Sequence, residues 1–202
     1  MAVSTVRLAT AEDVGPAAGS LARAFEDDPV MAILFPDPGS RLRRIERFFR
    51  AGIRHQHLPH GTSYTTEDRS GAALWDPPGH WKMTWGQILR GSPDLVGAFG
   101  ARVPTALRVL SAMERVHPTE PHYYLAVLGT DPARQGQGIG GALLQPVLDR
   151  CDEDGTGAYL ESSKERNIPY YRRFGFELSG EIALPRGGMV WPMWREPQVP
   201  EI

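Results

Sequence analysis

Four glycines fall within six positions, Gly136, Gly138, Gly140 and Gly141, where a β-rich run gives way to a helix. The segment reads LGTDPARQGQGIGGALLQPVL over 128–148, with Ile139, Leu143 and Val147 spaced for the buried side of that helix. A strand that stops at a glycine-rich loop and restarts as a helix restricts the fold sharply. The first-turn N–H groups of such a helix have no partner within it, and they lie at the positive end of its dipole. Without Cβ atoms in the way, an anion can approach the main chain closely. The segment therefore asks for a phosphate-bearing ligand; the alternative is a tight turn that needs glycine for packing alone.

What surrounds the loop narrows the ligand. Gly136, Gly138 and Gly141 satisfy G-x-G-x-x-G, and Glu161 closes a strand-like run 20 positions after Gly141, as at a dinucleotide site. Two features oppose that reading. The residues TDPARQ separate the strand from the first glycine, which in the dinucleotide fingerprint stands directly after the strand. Only 61 residues follow Gly141, too few for the remaining strands of such a fold. A Walker loop is excluded because the sequence has no G-K-[ST].

The rest of the chain reads as short elements between frequent turns. VRLAT at 6–10 suggests an edge strand, and Val14, Ala17, Ala18, Leu21, Ala24 and Phe25 recur at helical spacing over 11–27 until Asp28-Pro29 ends the pattern. Met31, Ile33, Leu34 and Phe35 make a short apolar turn. A second helix is expected over 40–57, on Leu42, Ile45, Phe48, Phe49 and Ile53. TSYTTE at 62–67 and GAALW at 71–75 read as a hairpin around Asp68-Arg69. Residues 76–121, with helical segments near 82–90 and 102–116, read as an insertion between strands, the kind of segment that often carries specificity. HYYLAVLG at 122–129, a helix at 138–151 and AYLES at 158–162 imply a parallel pair joined by a crossover helix. A helix at about 166–173 and two closing strands near 176–184 and 188–194 complete a mixed sheet with helices on both faces.

Composition removes several classes. With 22 basic and 24 acidic residues and no basic cluster, nothing asks for nucleic acid or an anionic membrane. The opening MAVSTVRLATAEDV lacks a basic segment leading into an apolar one, and no apolar run approaches a membrane span, so a cytoplasmic protein without a leader is expected. Cys151 is the one cysteine, at helical spacing among apolar residues, and reads as buried filler in a reducing compartment. His55, His57 and His60 do not have zinc-site spacing, so no metal is expected.

The stretch Gln135-Gly136-Gln137-Gly138-Ile139-Gly140 resembles the [Q/R]-x-x-G-x-[G/A] signature of the GNAT superfamily of N-acetyltransferases. A second landmark lies further on: Asn167-Ile168-Pro169-Tyr170-Tyr171-Arg172-Arg173-Phe174-Gly175-Phe176 is similar to that superfamily's N-x-x-x-Y-x-x-x-G-F element. VRLAT near the start, AF-x-D-x-P at 24–29, EP-x-x-x-LA at 120–126 and YLESS at 159–163 resemble the puromycin N-acetyltransferase group within it. The resemblance covers the insertion poorly.

It implies an α/β (α+β) GNAT fold, a mixed, mostly antiparallel sheet of six to seven strands with a splayed central parallel pair, in a single domain interrupted at about 76–121. It implies acetyl-CoA as co-substrate, a small-molecule amine as acceptor, and a monomer or homodimer. Leu128, Gly129 and Thr130 would pair with the pantetheine arm, with Gly129 forming a bulge that opens the strand edge. Gln135, Gly136, Gln137, Gly138, Ile139, Gly140 and Gly141 would hold the pyrophosphate, and Asn167 the pantetheine, unless Asn167 simply caps the following helix. Tyr171 would be the general acid, since a phenol (pKa about 10) lies close enough to a thiol (about 8.5) to share its proton; a structural role is the alternative. Glu161 is the first candidate for the base, then His122 and Tyr124 on the opposite wall, the alternatives for each being substrate binding or a core hydrogen bond. Glu26 and Asp28 would attract a cationic acceptor, and Trp75, Trp81 and Trp85 would form an apolar wall, the ordinary alternatives being a solvated helix end and core packing.

Overall fold

A computed structural model describes residues 5–198; the first four residues of the opening segment read for a leader lie outside them. The strands are β1 (Val6–Leu8), β2 (Tyr64–Thr66), β3 (Gly71–Asp76), β4 (His122–Thr130), β5 (Gly157–Ser162), β6 (Glu177–Leu178), β7 (Ile182–Ala183) and β8 (Met189–Arg195). They form one sheet in the order β1-β2-β3-β4-β5-β8-β6, with β7 also on β8. The closing strand expected over 176–184 is thus divided into β6 and β7, separated by Ser179, Gly180 and Glu181. Among the described pairs only β4–β5 is parallel, matched from His122↔Gly157 to Leu125↔Leu160. Beyond Leu125 the two strands part, and this opening organises everything below.

Among the described residues seven α-helices flank the sheet: α1 (Val14–Ala24), α2 (Pro29–Leu34), α3 (Pro38–Gly52), α4 (Trp85–Phe99), α5 (Val103–Glu114), α6 (Ile139–Glu153) and α7 (Ile168–Arg172). Helices α6 and α7 cover one face, where Ile139, Leu143, Leu144 and Val147 meet Ala73, Trp75, Tyr123, Leu125, Leu160 and Met193. On the other face α1 and α3 lie against Ala72, Leu74, Val127 and Val190, with Ala98, Phe99 and Val109 of α4 and α5 closing the same core. Burying each of the Val, Leu, Ile, Phe or Met side chains among them stabilises the fold by about 1.5–3 kcal/mol. Among the described residues no helix is long and apolar enough to cross a membrane.

Local chemistry explains the helix ends. Asp28 does more than end α1: its Oδ1 accepts from the Val30 and Met31 amides with Pro29 at the first helical position, so 29–34 is a helix rather than an irregular turn. Asp37 and Pro38 repeat the device for α3, two residues earlier than expected. Helix α4 is longer than its apolar pattern suggests; a Thr84–Gln87 capping box starts it and it continues through Pro93. Arg195, 3% exposed, holds the closing elements together, binding both oxygens of Asp152 on α6 and the Phe174 carbonyl after α7.

Two expectations are corrected by register. Side chains alternate along a strand, so Ala73 and Trp75 face α6 while Ala72, Leu74 and Asp76 face α1 and α3. Trp75 is therefore a fully buried core residue on the α6 side, not part of an acceptor wall. The β-bulge is also displaced. Leu74 pairs with Val127 but Trp75 with Leu125, which leaves Ala126 as the extra residue in β4. Gly129 has a different job: a Cβ there would lie 2.7 Å from Leu21 and 3.0 Å from Phe25, so its missing side chain lets α1 press against the sheet.

Candidate active site

The opening between β4 and β5 widens into a cleft of about 810 Å³. Its floor is β4 from Leu125 to Thr130, unpaired on that side beyond Leu125; its walls are the glycine loop, the end of β5 from Leu160 to Lys164, the turn after α1, and α7. The bulge at Ala126 lies where β4 leaves β5. Downstream of it, one edge of β4 still pairs with β3 and the other faces the cleft, offering main-chain groups to an extended amide-bearing ligand.

The glycine loop is shaped by its backbone. Gly136 and Gly138 have φ of 75° and 79°, in the left-handed region where a Cβ costs about 1–2 kcal/mol. Gly138 is the N-cap of α6 and supplies no side chain to its amides, and a Cβ on Gly136 would meet nothing within 4 Å, so the cradle is open. A Cβ on Gly140 would stand 2.5 Å from the Tyr170 hydroxyl. The two glutamines brace this loop. Gln135 donates to the Thr130 carbonyl at 3.1 Å and Gln137 accepts from Arg134 at 3.1 Å. Ile139 is buried beneath, and Gly140 and Gly141 line the cleft with Leu128, Gly129 and Thr130.

Basic side chains ring the mouth. Arg134, Lys164, Arg166 and Arg173 line the cleft; Arg134 pairs with Asp68 at 2.7 Å, Lys164 with Asp27 at 2.6 Å, and Arg173 lies 5.0 Å over the Tyr170 ring. None of the four was singled out from the sequence, although Arg134 and Arg173 adjoin the two motifs. Positive charge around glycine-loop amides suits a polyanionic phosphate group.

Asn167, Tyr170, Tyr171, Asp28 and Glu161 also line the cleft. Asn167 stands at the N-cap position of α7 but makes no capping bond. Tyr171 is buried, and its phenol is pushed well above the ordinary tyrosine range, first by burial and then by Tyr170 and Asp28. Tyr170 carries a buried hydroxyl with no protein partner, and burial raises it to about 12 against the opposing Arg173 charge. Asp28 is 2% exposed, accepts from the Ser163 hydroxyl, and is raised by burial. Cys151 lies in the core with its thiol pushed up to about 12 by burial, a poor nucleophile.

Glu161 has its side chain only 2% exposed, on the sheet face away from α6. Around it gather His117, which precedes β4, with His122, Tyr124 and Tyr159. Trp81 stacks on His117 at 3.6 Å. His122 sits behind His117, its Nε2 3.0 Å from that of His117, while Tyr124 packs edge-on against it. Burial pushes Tyr124 and Tyr159 up, reinforced by the Glu161 charge. Two predicted acceptor residues stand apart: Glu26 is exposed on the turn after α1, and Trp85, at the start of α4, is 86% exposed. Among the described residues no three or more His, Cys, Asp or Glu side chains are arranged so that they could hold a metal ion.

Residues 53–176 match the model of the acetyltransferase (GNAT) family. An uncharacterized N-acetyltransferase of Schizosaccharomyces pombe is 30% identical over 93% of this chain and 81% of its own length. Among solved structures, one described as histone acetyltransferase HPA2 and related acetyltransferase from Corynebacterium glutamicum superposes with a TM-score of 0.74 at 30% identity, covering 100% of both chains. A Drosophila melanogaster polyamine N-acetyltransferase shares the fold at a TM-score of 0.62 and 17% identity, over 95% of this chain and 99% of its own.

Proposed function

The chain belongs to the acetyltransferase (GNAT) family and is an acetyl-CoA-dependent N-acetyltransferase, and on that premise we propose that it acetylates a primary amine on a small molecule by direct transfer. We read it as one acetyltransferase domain, with 76–121 as a helical insertion on its acceptor side.

The cleft suits acetyl-CoA in three respects: an open glycine cradle, basic side chains at the mouth, and an unpaired β4 edge. Amides of the 136–141 loop would hold the pyrophosphate, and main-chain groups of Leu128, Gly129 and Thr130, with Asn167, the pantetheine arm. Bound there, acetyl-CoA supplies an activated acetyl thioester. The chain's own groups then handle protons. Tyr171, held protonated by burial, donates to the leaving sulfur. Glu161 withdraws the proton that an ammonium acceptor must lose before it can attack. With the only cysteine buried and its thiol raised, no thiolate is at hand on this wall for a covalent enzyme intermediate.

The observation that carries a small acceptor is the enclosure of Glu161 beneath Trp81 and His117, both from the insertion. A protein amine would need an open groove there. The name of the C. glutamicum relative favours a second reading, acetylation of a protein lysine or N-terminus. Both are tested by incubating the chain with acetyl-CoA and a panel of small amines and lysine peptides, reading free thiol. Turnover of small amines is expected. Preference for peptides would establish the second reading, and coenzyme A binding without turnover of any amine would make the chain a sensor.

A further inference from the structure

Beside Glu161, the hydrogen-bond directions of two histidines are fixed from one end. His122 Nδ1 lies 2.7 Å from the Glu120 carbonyl, which can only accept, so this nitrogen carries a hydrogen. Burial first, and the neighbouring His117, lower the proton affinity of His122, which favours its neutral form. A neutral His122 with Nδ1–H has a bare lone pair on Nε2. That atom is 3.0 Å from His117 Nε2, which must therefore be the donor. Neutral His117 is then left with a lone pair on Nδ1, 3.5 Å from Glu161 Oε1. The carboxylate oxygen is buried and accepts no other hydrogen bond. Two lone pairs thus face each other at a distance long for a hydrogen bond, an arrangement that one proton between them converts from repulsion to attraction.

We propose that Glu161 and His117 act as one base, receiving the acceptor's proton into the gap between Oε1 and Nδ1, with His122 fixing the ring of His117 so that this gap faces the carboxylate. The proposal rests on Glu161 being the base and adds His117 as a positioning residue. In the step, an N–H bond of the bound ammonium breaks and its electron pair stays on nitrogen for attack. The proton becomes an O–H on Glu161 hydrogen-bonded to Nδ1, or an N–H on His117 paired with the carboxylate, and returns to water when product leaves. It goes no further, because the row ends at the Glu120 carbonyl, which cannot take a proton. The arrangement stores a proton; it does not conduct one.

Other charged or titratable groups facing the pair are few. Tyr124 from β4 and Tyr159 from β5 pack edge-on against His117 and bring their hydroxyls toward the Glu161 carboxylate, and both phenols are held neutral by burial. Asp76 from β3 is engaged by His57, whose Nδ1 lies 2.8 Å from Oδ1. Lys82 lies 4.7 Å over the ring of Trp81 that stacks on His117. Glu161 supplies the negative charge beside Nδ1, so the proton affinity of the site depends on it.

The test is a titration of ring nitrogens in the intact, 15N-histidine-labelled protein, from about pH 5 to about pH 9. His122 should remain in the Nδ1–H form throughout, while His117 passes from doubly protonated to Nε2–H in one step. That step should move down by about one pH unit or more in Glu161→Gln. His117 found in the Nδ1–H form, or titrating alike in both proteins, would overturn the proposal. The same pair of proteins, assayed with a turned-over amine, separates this idea from its premise. If the ring titration behaves as described but Glu161→Gln keeps its kcat/KM, the paired site stands and its use as the catalytic base is overturned. If kcat/KM falls in Glu161→Gln, His117→Gln should flatten the rising limb of the wild-type pH profile, as a merely structural histidine would not.

Discussion

The Ser163 hydroxyl donates to Asp28 Oδ2, joining the end of β5 to the N-cap of α2 across 135 positions of sequence. Next to it, Lys164 Nζ meets Asp27 Oδ1 at 2.6 Å. These contacts tie the open end of the parallel pair to the turn after α1. Asp28 serves two partners, the helix amides through Oδ1 and the serine through Oδ2. Asp28→Ala should therefore cost about 2 kcal/mol, and Ser163→Ala about 1 kcal/mol or less. Urea denaturation of the two variants checks the order, and a serine effect equal to the aspartate effect would contradict it.

Gly140 faces the hydroxyl of Tyr170, so Gly140→Ala should push the loop out of shape and weaken coenzyme A binding by about tenfold or more. The offending atom is one oxygen with no protein partner. Tyr170→Phe in the same chain should restore most of the affinity, while Tyr170→Phe alone should change stability by less than about 1 kcal/mol. Calorimetric titration of the three variants with coenzyme A decides it; a double variant no better than Gly140→Ala would show that the obstruction lies elsewhere.

Tyr171→Phe removes a proton donor without emptying the volume its ring fills. We expect kcat to fall by about 10- to 100-fold while the Kd for acetyl-CoA stays within about twofold. Because burial raises this phenol above the ordinary range, the wild-type enzyme should show no loss of kcat from its ionisation below about pH 10. Equal kcat in the variant would leave Tyr171 with a packing role only.

Acid stability should depend on Asp13. Its carboxylate is held well below the ordinary range, first by Arg7 at 2.7 and 2.8 Å, then, against the opposing effect of burial, by the Thr10 amide and Arg69. A depressed folded-state pKa means that the unfolded chain binds the proton more readily. The stabilisation is then present above about pH 4 and is lost as pH falls toward the folded value. Thermal melts from about pH 7 to about pH 2 should show the wild type losing stability steeply below pH 4. Asp13→Asn should start about 1–3 kcal/mol lower near neutrality and lose less on acidification. Parallel curves for the two proteins would rule out Asp13 as the group responsible.

The glycine loop is legible in the sequence because φ values near 75° at a strand-to-helix junction leave few other residues possible. The parallel pair is legible too, since an apolar helix between two β-rich runs has little choice but to cross over. Trp75 is misassigned because an aromatic residue announces its size and not its side; only the parity it shares with Ala73 turns it toward α6. The bulge escapes because an extra residue is defined by the partner strand, and nothing in HYYLAVLG alone distinguishes Ala126 from Gly129. His117 carries no local signal either. It lies in the segment after α5, and its meeting with Glu161 exists only once the strands β4 and β5 stand side by side.

The extra residue at Ala126 gives β4 two different phases. Before it, Tyr123 and Leu125 belong to the α6 side and His122 and Tyr124 to the other; after it, Val127 and Gly129 take the α1 side. The strand thus speaks to opposite layers with its two halves. Substitutions upstream would reshape the surroundings of Glu161 while the stretch of β4 that faces the cleft keeps its frame, so the proposed acceptor side could change without disturbing the proposed donor side.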